Sequence, residues 1–188
     1  MTDFGNAGAW CREIWQKYIH EGDTVIDATM GNGHDTLYLA QAVGESGRVY
    51  AFDVQKEALE KTRARLEKAD VLDRVTLICE NHALMEKHVS CEVDAVIFNL
   101  GWLPGALHDV TTNADTTIEA LKAALRLVKA GGFVTLCVYP GHAEGERELE
   151  KVAAFVKDLD DKCFDAVSRG YENIRLKPPK LFAIAKKQ

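Results

Sequence analysis

The sequence of 188 residues contains no hydrophobic run long enough to span a bilayer. It also lacks the features of a secretory signal, because residues 1–6 contain an acid and no basic region followed by an apolar stretch. We therefore expect a cytoplasmic protein with no membrane partner. No internal repeat, low-complexity segment or linker divides the chain, so residues 1–188 are predicted to form one domain.

The chain has five cysteines, but they lie far apart and form no C-x-x-C pair. Their odd number argues against a complete disulfide framework, and their spacing argues against a zinc site. Cys79 and Cys137 lie within apolar runs, where a free thiol is usually a small core residue. We therefore expect these two thiols in the core and no metal site.

Charge is distributed unevenly along the chain. The net charge of −6 is not typical of a nucleic-acid-binding protein, yet residues 169–188 carry +5 and the remainder carries −11. A local basic surface can hold phosphates on an acidic protein. Alternatively, the lysines protect an edge strand from aggregation, and the residues leave both interpretations open. The basic residues are Arg169, Arg175, Lys177, Lys180, Lys186 and Lys187.

Apolar runs alternate with amphipathic segments, which predicts a largely parallel α/β sheet. The N-terminal helix, within residues 1–22, is expected to pack on the domain. A hairpin is expected at the end of the chain, because Pro178-Pro179 cannot lie inside a central strand. Seven strands ending in an antiparallel hairpin are typical of Rossmann-like class I methyltransferases rather than of dinucleotide dehydrogenases. Strands are predicted at 24–28, 48–52, 75–79, 93–98, 133–139, 164–169 and 181–186, and helices at 7–21, 34–43, 56–68, 83–88, 115–129 and 144–159.

The sharpest motif follows the first predicted strand, which ends in Asp27 and continues through Gly31 and Gly33 into a helix. The glycines let the backbone approach a ligand, and the helix N-terminus offers N–H groups to a carboxylate. A dinucleotide-binding turn would have a third glycine where Thr36 stands. Asp27 would repel a pyrophosphate but would attract the ammonium of a methionine moiety. The motif therefore favours S-adenosyl-L-methionine as the cofactor.

Polar side chains follow the second and third strands. Asp53 ends the second strand, twenty residues after Gly33, where a carboxylate can accept both ribose hydroxyls of an adenosyl group. Asn81 and His82 follow the third strand, at the edge of the sheet where cofactors bind. Asn81 is predicted to contact the adenine edge and His82 to flank the ring or the sulfonium. A helix cap is an equal alternative for His82.

The fourth strand ends in Asn99-Leu-Gly-Trp-Leu-Pro-Gly105, which resembles in outline the Asn-Pro-Pro-Tyr motif of methyltransferases that modify exocyclic amino groups. The Asn99 and Leu100 carbonyls could accept the hydrogens of an amine and aim its lone pair, while Trp102 packs on the base. The alternative is a loop that closes over the core, with Trp102 as its plug. His142, after the fifth strand, is the candidate proton acceptor.

Four strings in this order resemble one small bacterial family, the "putative rRNA methylase" family of S-adenosylmethionine-dependent methyltransferases, which includes the tRNA 5-aminomethyl-2-thiouridine methyltransferase. The resemblance implies methylation of the aminomethyl nitrogen of the wobble uridine, in the anticodon region of tRNA, by a homodimer. The strings are Asp27-Ala-Thr-Met-Gly-Asn-Gly-His-Asp-Thr36, Asn99-Leu-Gly-Trp-Leu-Pro-Gly105, Thr111-Thr112 with Asp115-Thr-Thr-Ile-Glu-Ala-Leu121, and Tyr139-Pro-Gly-His142.

The resemblance also implies a set of site residues. The substrate side maps to residues 99–104, including Pro104, and to Tyr139 and its successors up to His142. From the charge of the C-terminal segment, and not from the resemblance, Lys177 and Lys180 are the candidates for holding phosphates. The cofactor contacts implied are Thr29, Met30, Gly31, Asn32, Gly33, Asp53, Gln55, Asn81 and His82.

The chain departs from the family pattern in two places. Residues 106–109 read Ala-Leu-His-Asp where the family usually has glycine, aspartate and lysine, and Trp102 stands where tyrosine is common. The role of that loop in anticodon or dimer contacts is therefore left open.

Three other functions compete with this interpretation. One is methylation of another amine or hydroxyl, on rRNA or on a small molecule. Another is a non-catalytic protein that keeps the adenosyl pocket, which does not explain why Asp27, Asp53 and Asn99 are all present. A nicotinamide dehydrogenase is disfavoured by Thr36 and by the terminal hairpin.

Overall fold

A computed structural model describes residues 5–101, 112–174 and 177–188 of the protein. The described part contains helices α1 to α5, strands β1 to β7 and two short 3-10 helices at Leu72–Arg74 and His82–Lys87. The α-helices are α1 Ala7–Tyr18, α2 His34–Ala42, α3 Lys56–Lys68, α4 Ala114–Leu127 and α5 Ala143–Lys157. The strands are β1 Thr24–Asp27, β2 Arg48–Asp53, β3 Val75–Cys79, β4 Val93–Asn99, β5 Val128–Val138, β6 Phe164–Arg169 and β7 Lys180–Lys186.

The seven strands form one sheet in the order β3-β2-β1-β4-β5-β7-β6. Strands β1 to β5 pair in parallel, while β7 is antiparallel to both of its neighbours, β5 and β6. This is the predicted mostly parallel sheet with its C-terminal antiparallel hairpin. The chain passes outward from β1 to β2 and β3 and then returns to place β4 on the other side of β1. Because the strand order reverses at this point, a crevice opens at the carboxyl ends of β1 and β4.

In the central strands, alternate side chains enter one of two cores, one on each face of the sheet. Ile26 and Val96 belong to the core beneath α4 and α5, and their neighbours Val25 and Ile97 belong to the core beneath α1, α2 and α3. Strands buried on both faces read as continuous apolar runs, which explains the runs seen in the sequence. The N-terminal helix α1 packs against the second of these cores through Trp10, Cys11 and Trp15.

Among the predictions of burial and secondary structure, three differ clearly from the structure. Cys79, expected in the core, is exposed, because it ends β3 at the open edge of the sheet; Cys137 is buried as expected. The helix predicted at 83–88 is a 3-10 helix in which Leu84 has non-helical backbone angles. Strand β5 begins at Val128, five residues earlier than predicted, and Gly131 (φ +81°) permits this extension.

The lysines of the basic C-terminal segment lie at opposite ends of the strands of the terminal hairpin. Lys180 is paired with Val138, at the carboxyl end of β5, whereas Lys186 and Lys187 lie at the other end of the hairpin. Lys186 donates to the Val128 carbonyl at 2.7 Å, so its charge helps to cap α4. Strand β7 lies between β5 and β6, so it is not an edge strand. Lys180 therefore does not protect an edge strand from aggregation. Within the described residues, no helix is long and apolar enough to cross a membrane.

Candidate active site

A cavity of about 660 Å³ opens at the carboxyl ends of β1, β2, β3 and β4. Its volume lies in the range of sites that enclose a ligand of nucleoside size. The walls come from the loops that follow these strands, which is where an α/β sheet of this order binds ligands. The predicted site residues that line the cavity are Thr29, Met30, Gly31, Asn32, Asp53, Gln55, Asn81, His82, Asn99, Leu100 and Tyr139.

Residues 28–33, which connect β1 to α2, are called the glycine loop here; they form the floor of this cavity at the start of α2. Gly31 (φ +51°) and Gly33 (φ +76°) have left-handed backbone conformations, and Gly33 is the residue that precedes the helix. A Cβ at Gly33 would lie 2.9 Å from the backbone of Thr62 in α3, so only glycine fits there. Gly33 itself does not line the cavity; it sets the turn that brings Gly31 and Asn32 to the wall.

Asp27 has a different place from the one predicted. The sequence placed it beside a methionine ammonium, but the structure buries it beneath the loop and away from the cavity wall. The Thr29 N–H donates to Asp27 Oδ1 at 3.1 Å, and the Thr36 hydroxyl donates to Oδ2 at 2.6 Å. Burial, reinforced by the nearby charge of Asp35, raises the pKa of Asp27 to about 7. Thr36, which replaces the third glycine, is therefore a partner of Asp27.

Asp53 connects β2 to the glycine loop. Its Oδ2 accepts from the Gly31 N–H at 3.1 Å and its Oδ1 from the Gln55 N–H at 2.9 Å. A carboxylate has about four acceptor sites, so capacity remains for hydroxyls of a ligand in the cavity. Burial raises the pKa of Asp53, and the backbone hydrogen bonds oppose that rise.

Asn81 and His82 form the part of the wall that follows β3. Asn81 Oδ1 accepts from the Ala83 N–H at 2.8 Å, so this side chain caps the following 3-10 helix. Burial lowers the pKa of His82, so the ring is neutral near pH 7. Nδ1 lies 3.0 Å from the Ala28 carbonyl and donates to it, which leaves Nε2 as an acceptor without a partner among the described residues.

Asn99 stands where the loops after β1 and β4 meet. Its backbone N–H donates to Thr29 Oγ1 at 2.7 Å, which joins the end of β4 to the glycine loop. Its side-chain Nδ2 donates to Asp35 Oδ2 at 3.1 Å. Leu100 is buried and lines the cavity beside Asn99. The polar groups predicted to receive an acceptor amine therefore share a wall with the loop predicted to hold the cofactor.

The structure does not bring His142 to the cavity. His142 is the N-cap of α5, and its Nδ1 accepts from the Gly145 N–H at 3.1 Å. The turn at Pro140 and Gly141 carries the chain away after Tyr139, which does line the cavity. Helix capping therefore accounts for His142 in place of the predicted contact with the acceptor. The predicted residues Trp102 and Pro104 lie outside the described residues.

Lys177 and Lys180 lie at the same edge of the sheet as the cavity but do not line it. Lys177 is in contact with Glu146 of α5 at 2.6 Å, and the Lys180 ammonium lies 5.8 Å from the centre of the Phe182 ring. Both are therefore candidates for contacts around the site rather than inside it.

Asp35 is a polar group of this wall that the sequence analysis did not predict. Asp35 lines the cavity and joins Asn99 to Arg12 of α1, whose Nη2 donates to Asp35 Oδ1 at 2.6 Å. Asp35 was within the quoted motif, but no sequence spacing relates it to Arg12 or Asn99. His34, Glu80, Thr112, Asn113 and Thr116 also line the cavity without having been predicted. The described residues contain no group of three or more His, Cys, Asp or Glu that could hold a metal ion.

Comparison with known proteins decides the family. The family model described as "Putative rRNA methylase" matches residues 49–185, which is more than half of the chain. The chain belongs to this family. The family and the sheet order confirm the predicted assignment to the class I, S-adenosylmethionine-dependent methyltransferases.

Three relatives of this family member are informative. Over 156 residues it is 45% identical to the protein named "tRNA (mnm(5)s(2)U34)-methyltransferase, chloroplastic" of Arabidopsis thaliana, covering 78% of this chain and 57% of the relative. The chain thus spans little more than half of that relative's length. The crystal structure of the putative rRNA-methylase from Clostridium thermocellum has 42% identity and a TM-score of 0.96, covering 98% of this chain and 100% of the other. A putative methyltransferase from Streptococcus mutans in complex with SAH has 36% identity and a TM-score of 0.89, covering 98% and 99%.

Proposed function

We propose that this family member transfers a methyl group from S-adenosylmethionine to the aminomethyl nitrogen of 5-aminomethyl(-2-thio)uridine at the wobble position of tRNA. The observation that carries the proposal is the position of Asn99: its backbone N–H donates to Thr29 of the glycine loop, and its side-chain amide lines the same cavity beside that loop. The 45% identity to a chloroplast relative named for this modification supports the choice of acceptor.

The residues of the cavity fit the cofactor. SAH, found in the Streptococcus mutans relative, is S-adenosylmethionine without the transferred methyl group. Asp53 would accept from the ribose hydroxyls and Asn81 would face the adenine. The neutral His82 ring offers its buried, unpartnered Nε2 to the same ligand. S-adenosylmethionine supplies an electrophilic methyl group to this site.

The acceptor side acts by positioning. An alkylammonium must lose a proton before its lone pair can attack carbon, and the lone pair must then point at the methyl group. Asn99 Oδ1 and the Leu100 carbonyl would accept the remaining N–H groups of the amine and set its direction. Because His142 caps α5, the proton of the acceptor ammonium passes to water, either bulk water or water around the RNA.

The test of the function is transfer of labelled methyl groups from S-adenosylmethionine to tRNA. We expect labelling of tRNA that carries aminomethyluridine and none of matched tRNA that lacks the aminomethyl group. An rRNA arm in the same assay tests the alternative acceptor suggested by the family description. Equal labelling of the two tRNAs would rule out the aminomethyl nitrogen as the acceptor.

Two variants separate acceptor positioning from proton transfer. Asn99→Ala should lower kcat at least tenfold while the calorimetric affinity for S-adenosylmethionine stays within threefold, since its proposed contact is with the nucleophile. His142→Ala should have a milder effect, because its Nδ1 is committed to the Gly145 N–H. If His142→Ala lowers kcat as strongly as Asn99→Ala, the positioning scheme is wrong.

The proposed partner is the anticodon region of tRNA, held next to the cavity by the basic edge of the sheet. Lys180 is the first residue of β7, beside the carboxyl end of β5, and Lys177 precedes it in the chain.

A homodimer is the assembly expected from the family resemblance. Light scattering of the purified protein measures it directly, and a mass of one 20.8 kDa chain would contradict it.

A further inference from the structure

We infer that Asp35 is a positioning residue that sets the orientation of the Asn99 side-chain amide. The inference rests on the proposed function, in which Asn99 receives the acceptor amine. Asp35 lies in the first turn of α2, directly after the glycine loop, whereas Asn99 ends β4. Both side chains line the cavity.

The contact between the two side chains selects one of two amide orientations. Asn99 Nδ2 donates to Asp35 Oδ2 at 3.1 Å. Because an ionised carboxylate only accepts hydrogen bonds, it holds the NH₂ group of the amide and repels the carbonyl oxygen. Among the described residues, Asn99 Oδ1 has no hydrogen-bond partner, so it is the atom left to accept from an amine.

Packing alone does not fix this amide. Asn99 is exposed and borders a second cavity of about 190 Å³ as well as the main one, and Asp35 lines both. The two orientations of an amide have nearly the same shape, so only hydrogen bonding distinguishes them. The contact with Asp35 is therefore what decides which amide atom faces the acceptor.

Arg12 of α1 holds Asp35 in place. Arg12 Nη2 donates to Asp35 Oδ1 at 2.6 Å, and the guanidinium lies 4.0 Å from the centre of the Tyr38 ring. With Oδ1 engaged by Arg12, Oδ2 faces Asn99. The N-terminal helix thus contributes to the acceptor wall through the chain of contacts Arg12, Asp35, Asn99.

Asp35→Asn tests this order of contacts. Arg12 can only donate, so it will stay bonded to the side-chain carbonyl oxygen of the new Asn at position 35. The new NH₂ group then faces Asn99, and the Asn99 amide turns so that Oδ1 accepts from it and no longer faces the acceptor amine. We expect kcat for aminomethyl tRNA to fall at least tenfold, with the calorimetric affinity for S-adenosylmethionine changed less than threefold. In an Asn99→Ala background, the same substitution should change kcat less than threefold. Asp73→Asn, at an acid paired with Arg74 outside the site, is the matched control.

Arg12→Gln is the second variant, in case Asp35→Asn does not fold. It leaves the carboxylate but removes its anchor, so we expect a smaller loss of kcat that again vanishes when Asn99 is alanine. If either substitution lowers kcat by the same factor in both backgrounds, Asp35 does not act through Asn99 and the inference fails. A loss of cofactor affinity as large as the loss of kcat would make Asp35 a cofactor contact, which also overturns it.

A readout that does not use activity separates this inference from the proposed function. If the unaltered protein does not methylate aminomethyl tRNA, the proposed function fails and the side-chain amide signals of Asn99 decide the inference. Their ¹⁵N and ¹H chemical shifts should move in Asp35→Asn and stay in place in Asp73→Asn. Unchanged Asn99 signals in Asp35→Asn would overturn the inference.

Discussion

The raised pKa of the Asp27 carboxyl group leads to a prediction of how the free energy of unfolding depends on pH. The carboxyl group is buried beneath the glycine loop, and burial raises its pKa from 3.8 to about 7. A group with a raised pKa in the folded state binds its proton more tightly there than in the unfolded chain. Its contribution to stability is therefore complete below the unfolded pKa and is lost as pH rises through the folded pKa. The change to test it is Asp27→Asn, which keeps the shape and cannot ionise.

The magnitude follows from the two pKa values. A shift from 3.8 to about 7 corresponds to roughly 4 kcal/mol over the full range of pH. Between pH 5 and pH 8 the unaltered protein should lose about 2.5 kcal/mol of unfolding free energy through this group alone. The pKa of about 7 already includes the hydrogen bonds that Thr36 and Thr29 donate to the ionised carboxylate. These free energies are upper bounds, because relaxation of the loop around an ionised Asp27 reduces the penalty.

The assay is denaturant unfolding followed by tryptophan fluorescence and circular dichroism at a series of pH values. The stability of Asp27→Asn relative to the unaltered protein should rise by about 2 to 2.5 kcal/mol between pH 5 and pH 8. Burial also raises the pKa of Asp53 and Glu148, but these groups are present in both proteins and largely cancel in the difference. Parallel stability curves for the two proteins would show that Asp27 is not responsible.

Three further predictions concern the loop, the cofactor and RNA. Gly33→Ala should lower the unfolding free energy by about 2–4 kcal/mol, because φ is +76° and the new Cβ would come within 3 Å of α3; equal denaturation midpoints would contradict this. Asp53→Ala should weaken S-adenosylmethionine at least tenfold in calorimetry, since hydrogen bonds to a charged group contribute about 1.5–3 kcal/mol each, and unchanged affinity would exclude the ribose contact. Replacing Lys177 and Lys180 with alanine should flatten the salt dependence of tRNA binding by up to about two units of slope, whereas Lys187→Ala, at the opposite edge of the sheet, should leave it unchanged; an unaltered slope in the double variant would remove both lysines from the interface.

The sequence by itself determined the fold class and placed most of the residues predicted to bind the cofactor on the wall of the cavity. Apolar runs, glycines and a terminal hairpin are local signals, and each of them reports on backbone that its own neighbours in the chain shape. The carboxyl ends of parallel strands must meet at one edge of the sheet, so residues such as Asp53, Asn81 and Asn99 could be placed on one wall from their positions alone.

Tertiary structure alone decided which polar groups face the cavity and which support it. Asp27 and His142 carry chemistry suited to a site, yet the fold uses one beneath the loop and the other as a helix cap. Asp35 and Asn99 are 64 positions apart and meet only because β1 and β4 are neighbours in the sheet. Hydrogen bonds between such distant residues depend on strand order and side-chain direction, and neither is encoded by spacing along the chain.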